Sequence, residues 1–569
     1  MVRISRRQAL VTGMMGGVAG CATSFGGGQF QAAPSTATTR FAHGVASGDP
    51  DVTSVVLWTR ITTDATTIPV MVEIATDAEF GRIVRTVQTE TSGARDHTVK
   101  VLAEGLEPGL TYYYRFTTGE DVSPTGRTKT LPLNTNSVRF AVCSCSNYPF
   151  GYFNGYDHMA RRDDLDAVIH LGDYIYEYGP DGYGAEDGVK LGRQHAPAKE
   201  IVSLEDYRMR HAQYKSDPST QAMHGAHPFI AIWDDHETTN NSWENGAENH
   251  QPATEGDWET RRRAALQAYY EWMPVRDPEP GRARESLYKS YRFGNLLTLT
   301  AIETRLTART KQLEYSEVVP TLKSPEDIER FKREVLGAED RYLLGDAQLD
   351  YIETAFKQSL SRNEPWRVVA NQVIMAEVTP PPLGDYVTEE DIVEVEKEWA
   401  SVRDFIAFAE LGLPLNLDAW DGYPAARERF YDMAKRQGAR DLVVLTGDTH
   451  EAWANELAAA DGTRMGVELG ATGITSPGTA RYLGDRAFDL SLLIRKDNPQ
   501  VRWHDPLHNG YFVLELEEDR GRVDFISLGT ITSQDYDTAV AARFDLIKRD
   551  GTVELSRPRG LGFKERVLF

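Results

Sequence analysis

The chain has 569 residues, 85 of them acidic and 62 basic, and a formal net charge of −23. That balance argues against a stable nucleic-acid partner, because phosphate backbones are held by clustered Lys and Arg, and it accords with sites that gather Asp and Glu around cations. No interior apolar run is long enough to span a bilayer, the length calls for two domains plus extensions, and three cysteines are too few for a disulfide framework.

Residues 1–40 read as an export address. Arg6 and Arg7 follow Ser5 and precede a short, weakly hydrophobic stretch at 11–20, too short for a membrane span. Paired arginines in this setting mark the bacterial twin-arginine route, which carries folded proteins. Val18-Ala-Gly-Cys21 has the form of a lipobox in which Cys21 would become the lipidated first residue, with cleavage near Ala32 and Ala33 as the alternative. The expectation is a periplasmic or cell-envelope protein that meets a membrane only through a lipid on Cys21. Residues 22–40, rich in Gly, Ser, Thr and Ala, read as a tether.

Residues 41–134 predict a small all-β domain. Strands at 55–59, 70–75, 99–102 and 112–116, each bounded by turn formers, suggest an immunoglobulin- or fibronectin-like sandwich. The segment 106–114 has the turn and aromatic strand of fibronectin type III domains, where the first aromatic anchors a corner. Such a domain is a spacer packed on its neighbour or a surface-binding module.

From 135 to 569 strands alternate with helical patterns, predicting an α/β domain. Long polar segments at 178–227 and 379–417 read as insertions over its upper face. Apolar strands run straight into polar residues: 139–142 into Cys143-Ser-Cys145, 165–171 into Gly172-Asp173, and 229–233 into Asp234-Asp-His-Glu237. The strand at 366–370 leads to Asn371-Gln372, and that at 442–446 to Gly447-Asp-Thr-His450. In open α/β sheets ligands bind beyond the carboxyl ends of the strands. If these strands share one sheet, their ends bring together Asp, His, Asn and Cys, a metal-ligand inventory. One thiol of Cys143 and Cys145 is then a candidate ligand and the other a small buried hydrophobe. Any single Asp after a strand is an ordinary helix N-cap; the convergence is what points to metal. Asp173 and Tyr176, three apart, would share a face if a helical turn followed the strand.

These residues resemble the metallophosphoesterase superfamily, and within it the secreted PhoD-type alkaline phosphatases. The resemblance rests on Phe41-Ala-His-Gly-Val-Ala-Ser-Gly-Asp-Pro50 and Val55-Val-Leu-Trp-Thr-Arg60 for the β domain. For the metal motifs it rests on His170-Leu-Gly-Asp-Tyr-Ile-Tyr176, Trp233-Asp-Asp-His-Glu237 and Thr446-Gly-Asp-Thr-His450. It implies a two-sheet α/β sandwich and a centre of Fe³⁺ beside Ca²⁺. Cys145 and Tyr176 would bind iron, Asp173 would bridge, and Asp235, Asn241 and Asp448 would hold calcium, with Asp234 competing for the place of Asp235. Where the superfamily often has Asn and His, this chain has Asp235 and Asp448, a change toward a harder, oxygen-preferring metal.

The implied activity is hydrolysis of phosphate monoesters and diesters by attack of a metal-activated hydroxide. His236 and His450 are the expected proton donors or phosphoryl contacts, and His170 a core residue. Arg305 is expected to contact phosphate in bidentate fashion, or else to form a surface salt bridge. The alternatives are a phospholipase D-like phosphodiesterase and a non-catalytic surface-binding protein with structural metals. The basic segment 556–569 reads as a lid over the active site or a docked tail.

Overall fold

The computed structural model describes residues 40–397 and 399–559. The expected export segment with Cys21, and residues 560–569 of the expected lid, lie outside the described residues. Among the described residues no helix is long and apolar enough to cross a membrane.

Trp366–Ala370 and Leu442–Thr446 are buried along their whole length, as parallel strands covered on both faces must be. They pair in a seven-stranded sheet ordered Lys289–Phe293, Leu297–Ala301, Trp366–Ala370, Leu442–Thr446, Arg464–Gly470, Ala452–Ala458, Val501–Asp505. Facing it is a ten-stranded sheet in which Ser137–Cys143, Ala167–His170 and Pro228–Ala231 are parallel neighbours. The inner faces close on one apolar layer that includes Phe140, Val142, Leu299, Val368, Leu445 and Leu514. Each such side chain contributes about 1.5–3 kcal/mol on burial.

Helices cover the outer faces. Leu204–Lys215 and Trp258–Trp272 bury Tyr207, Tyr214, Ala265 and Tyr269 against one sheet, and Asp346–Ser361 and Pro424–Gln437 bury Ile352, Phe356 and Phe430 against the other. This is the two-sheet α/β sandwich that the sequence implies. Both expected insertions carry helices: Ala185–Leu191, Leu204–Lys215 and Pro218–Ala226 in the first, Glu389–Val395 and Val402–Ala409 in the second. Leu204–Lys215 and Glu389–Val395 each start at a capping box, Ser203 with Asp206 and Thr388 with Asp391.

The N-terminal β domain packs Tyr112, Tyr114 and Phe116 of Thr111–Thr118 inward, as the alternation along that strand requires. The expected aromatic corner is present: the Glu107 backbone N–H donates to the Tyr112 hydroxyl at 2.8 Å. The strand Ile83–Ser92 escaped the sequence reading because it is an edge strand, exposed over its first half.

The other side of this sandwich is no separate sheet. Val45–Gly48 pairs antiparallel with Ser54–Arg60 and parallel with Pro228–Ala231, so these strands and Thr98–Glu104 continue the ten-stranded sheet. Gly48 makes the seam feasible: a Cβ there would lie 2.5 Å from the Pro274 carbonyl oxygen and 2.6 Å from that of Phe229.

Candidate metal centre

The five strand ends converge, but from two sheets. Ser137–Cys143, Ala167–His170 and Pro228–Ala231 approach from one, and Trp366–Ala370 and Leu442–Thr446 from the other. The strands do not share one sheet: the cluster forms where the two packed sheets of the sandwich present their carboxyl ends side by side.

Local backbone turns the candidate ligands inward. Cys145, Asp173, Asn241, Asp448 and His450 all adopt left-handed conformations, with φ of 60°, 57°, 50°, 66° and 61°. Such angles are uncommon outside glycine and collect where a site over-determines them. Gly172, at φ 108°, is fixed by crowding as well: a Cβ would come within 2.4 Å of the Asp234 backbone nitrogen. No helical turn follows Asp173. The expected shared helix face is replaced by an irregular loop, in which the Tyr176 hydroxyl donates to Asp173 Oδ2 at 3.0 Å.

Three overlapping groups have ligand atoms within 4.8 Å of one another: Cys145, Asp173 and His450; Asp173, Asp235 and His236; Asp234, Asp235 and Asp448. Asp173 joins the first two and Asp235 the last two. Asp173, Asp235, Asn241, Asp448, His236 and His450 line one pocket, while Cys145, Tyr176 and Asp234 stand outside its lining. Cys143 is buried in the apolar core, so Cys145 is the thiol that meets the cluster.

The donor set fits an implied pair of unlike cations. Cys145, Tyr176 and His450 bring thiol, phenol and imidazole to one side of Asp173, and Asp234, Asp235 and Asp448 bring carboxylates to the other, with the His236 imidazole beside Asp173 and Asp235. Asp173 Oδ1 and Asp234 Oδ2 are buried without any hydrogen-bond partner, a costly condition that a cation relieves. Burial, with neighbouring acids, also pushes Asp173, Asp448, Cys145 and Tyr176 well above their ordinary pKa values. Positive charge inverts that preference. Glu248 accepts the side-chain N–H of Asn241 at 2.6 Å, turning the amide oxygen the other way.

The two acids at 234–235 differ in duty. Asp234 binds Arg305 Nε, whereas Asp235 faces the pocket and accepts the Asn241 backbone N–H at 2.6 Å. Arg305 is fully buried behind the cluster, with Asp418 Oδ2 at 2.7 Å, Asp448 Oδ1 at 3.4 Å and Asp235 Oδ1 at 3.8 Å. Neither the expected phosphate contact nor the surface salt bridge matches this placement, since four carboxylates surround the guanidinium.

The histidines also differ. His236 Nδ1 lies 2.7 Å from Glu177 Oε2, and its ring lies over that of Tyr176 with centroids 4.2 Å apart. Burial opposes its protonation, but Asp235, Glu177 and Asp173 outweigh burial and raise its pKa well above the usual imidazole value. His450 Nδ1 lies 3.1 Å from the Pro477 carbonyl oxygen, and burial lowers its pKa to about 4. The neighbouring carboxylates thus favour the charged form of the first, and burial the neutral form of the second. His170 is a core residue whose Nε2 meets the Tyr156 hydroxyl at 2.8 Å.

Sequence reasoning missed the supports. Glu177 accepts the Asn240 backbone N–H at 2.9 Å as well as holding His236, and Glu237 accepts the backbone N–H groups of Asp173, Tyr174 and Asp234 at 3.1, 2.6 and 2.9 Å. Only their adjacency to the metal motifs signals them. Asp418, immediately after the second insertion, had no signal.

Residues 140–525 match the PhoD-like phosphatase family and residues 27–132 the PhoD-like phosphatase N-terminal domain. Alkaline phosphatase D of Bacillus subtilis (strain 168) is 35% identical over 540 residues, covering 92% of this chain and 83% of that protein. A solved structure of PhoD superposes with a TM-score of 0.74 at 32% identity, covering 93% of this chain and 95% of that one. The chain therefore belongs to the PhoD-like phosphatase family and is a phosphoric ester hydrolase.

Proposed function

We propose that this chain is an exported alkaline phosphatase that hydrolyses phosphate monoesters and diesters at a centre of Fe³⁺ and Ca²⁺. One observation supports the proposal: Asp173 belongs both to the group with Cys145 and His450 and to the group with Asp235 and His236, and Asp235 links these in turn to Asp234 and Asp448. Cys145 and Tyr176, with His450 as a neutral third donor, would hold iron. Asp235, Asp448 and the Asn241 amide would hold calcium, and Asp173 would serve both. When bound, the cations lower the pKa of water and neutralise charge on the phosphoryl oxygens.

The chain's own residues do the rest. His236, held through Nδ1 by Glu177, lines the pocket, and its acidic neighbours favour the protonated ring. It would donate a proton to the departing alkoxide oxygen, a step worth roughly 10²–10⁴ in rate. Arg305 keeps four acids folded beside one another before any cation arrives. The twin-arginine segment would deliver the folded, loaded protein to the periplasm or envelope, with Cys21 as its lipid attachment.

Turnover of p-nitrophenyl phosphate and bis-p-nitrophenyl phosphate by metal-replete protein tests the reading. Both esters should be cleaved, with activity lost in His236→Ala. If neither ester is cleaved, the reading fails.

A further inference from the structure

The pocket that holds the metal-binding candidates has a second, chemically opposite end. Beyond His236 and Asp448 its wall is built from Trp399, Phe405, Leu415, Leu490 and Ile494. These come from two excursions distant in sequence, the insertion at 379–417 and the helix Arg486–Asp497. They pack on one another: the Trp399 and Phe405 rings lie 5.2 Å apart, and Leu415 and Leu490 lean on the same apolar cluster. Trp399, Phe405 and Leu490 also line an adjoining cavity with Leu383 and Val395. A bare phosphate monoester of a small polar alcohol would leave this wall facing water, while an apolar substituent would cover it.

We infer that the apolar end is a substituent subsite, and that the preferred substrate is a phosphate ester bearing an alkyl chain. This rests on the hydrolase reading of the same pocket. The phosphoryl group sits among Asp173, Asp235 and His236, and the chain lies against Trp399, Phe405 and Leu490. The subsite selects by apolar area, so each added methylene should favour binding by about fourfold until the wall is covered.

The test is a series of n-alkyl p-nitrophenyl phosphates, methyl to octyl, given to the metal-replete full chain. We expect kcat/KM to climb about fourfold per methylene and then level off. Leu490→Asn and Phe405→Asn should each flatten the climb. A level series in the wild-type protein overturns the subsite while leaving hydrolysis intact, and needs no variant to fold. Absence of turnover with every ester overturns the hydrolase reading and the subsite with it. Phosphatidylcholine vesicles form a second arm. Hydrolysis there, with a climbing soluble series, identifies a bilayer lipid as the source of the chain; a climbing series without it identifies a soluble alkyl ester.

Discussion

His236 Nδ1 lies 2.7 Å from Glu177 Oε2, and neither side chain is open to bulk water. The carboxylate fixes which imidazole nitrogen carries the inward proton and stabilises the ring's charge. Glu177→Gln keeps an acceptor but removes that charge. The expected result is a 10–100-fold fall in kcat/KM for bis-p-nitrophenyl phosphate, with the fold unchanged by circular dichroism. Unaltered kinetics would show that the pair does not act in catalysis.

Arg305 offers a contrast between a structural and a substrate-binding cation. Arg305→Ala leaves buried acids without their counter-charge and should cost about 3–5 kcal/mol, read from urea denaturation of the metal-free protein. Arg305→Lys keeps the charge but loses the fork that spans Asp234 and Asp418. It should be partly destabilised while KM stays within twofold. A folded Arg305→Lys protein with a tenfold higher KM would restore the phosphate contact.

Gly172→Ala tests the crowding between two metal loops. The added methyl meets the Asp234 backbone at 2.4 Å, in a left-handed conformation that side chains rarely adopt. Displacing Asp234 and Asp173 together should reduce bound metal at least tenfold by elemental analysis. Full metal content would show that the loops yield more readily than their packing suggests.

Much of this site was legible because parallel strands end where chemistry begins. The apolar runs before Asp173, Asp234 and Asp448 locate three loops without knowledge of the fold. What the sequence hid was long-range: Arg305 meets Asp418 across 113 residues and Asp448 across 143. No local pattern marks such pairs. Tyr176 reached Asp173 through an irregular loop, so the residues were well chosen although the expected helical turn was not formed. The continuation of the ten-stranded sheet into the N-terminal domain depends on Val45–Gly48, too short a segment to announce its partners.

Glu468 provides a pH test away from the centre. It is fully buried, accepts the Met375 and Ala376 backbone N–H groups at 2.5 and 3.1 Å, and burial raises its pKa from 4.5 to about 7. A raised carboxyl pKa contributes stability that is complete below pH 4.5 and lost as pH rises through about 7. The loss is on the order of 3 kcal/mol. Glu468→Gln should be less stable at low pH through a weakened hydrogen bond, and should lack this decline when Tm is followed across the window. Parallel Tm curves for the two proteins would contradict the assignment.

The proposed centre would hold two unlike cations in one buried cluster, with Asp173 shared between the Cys145–His450 group and the Asp235–His236 group. Elemental analysis of natively purified, full-length protein tests it most directly. Iron together with calcium is the expected result. Zinc alone, or no stoichiometric metal in an active enzyme, would contradict it.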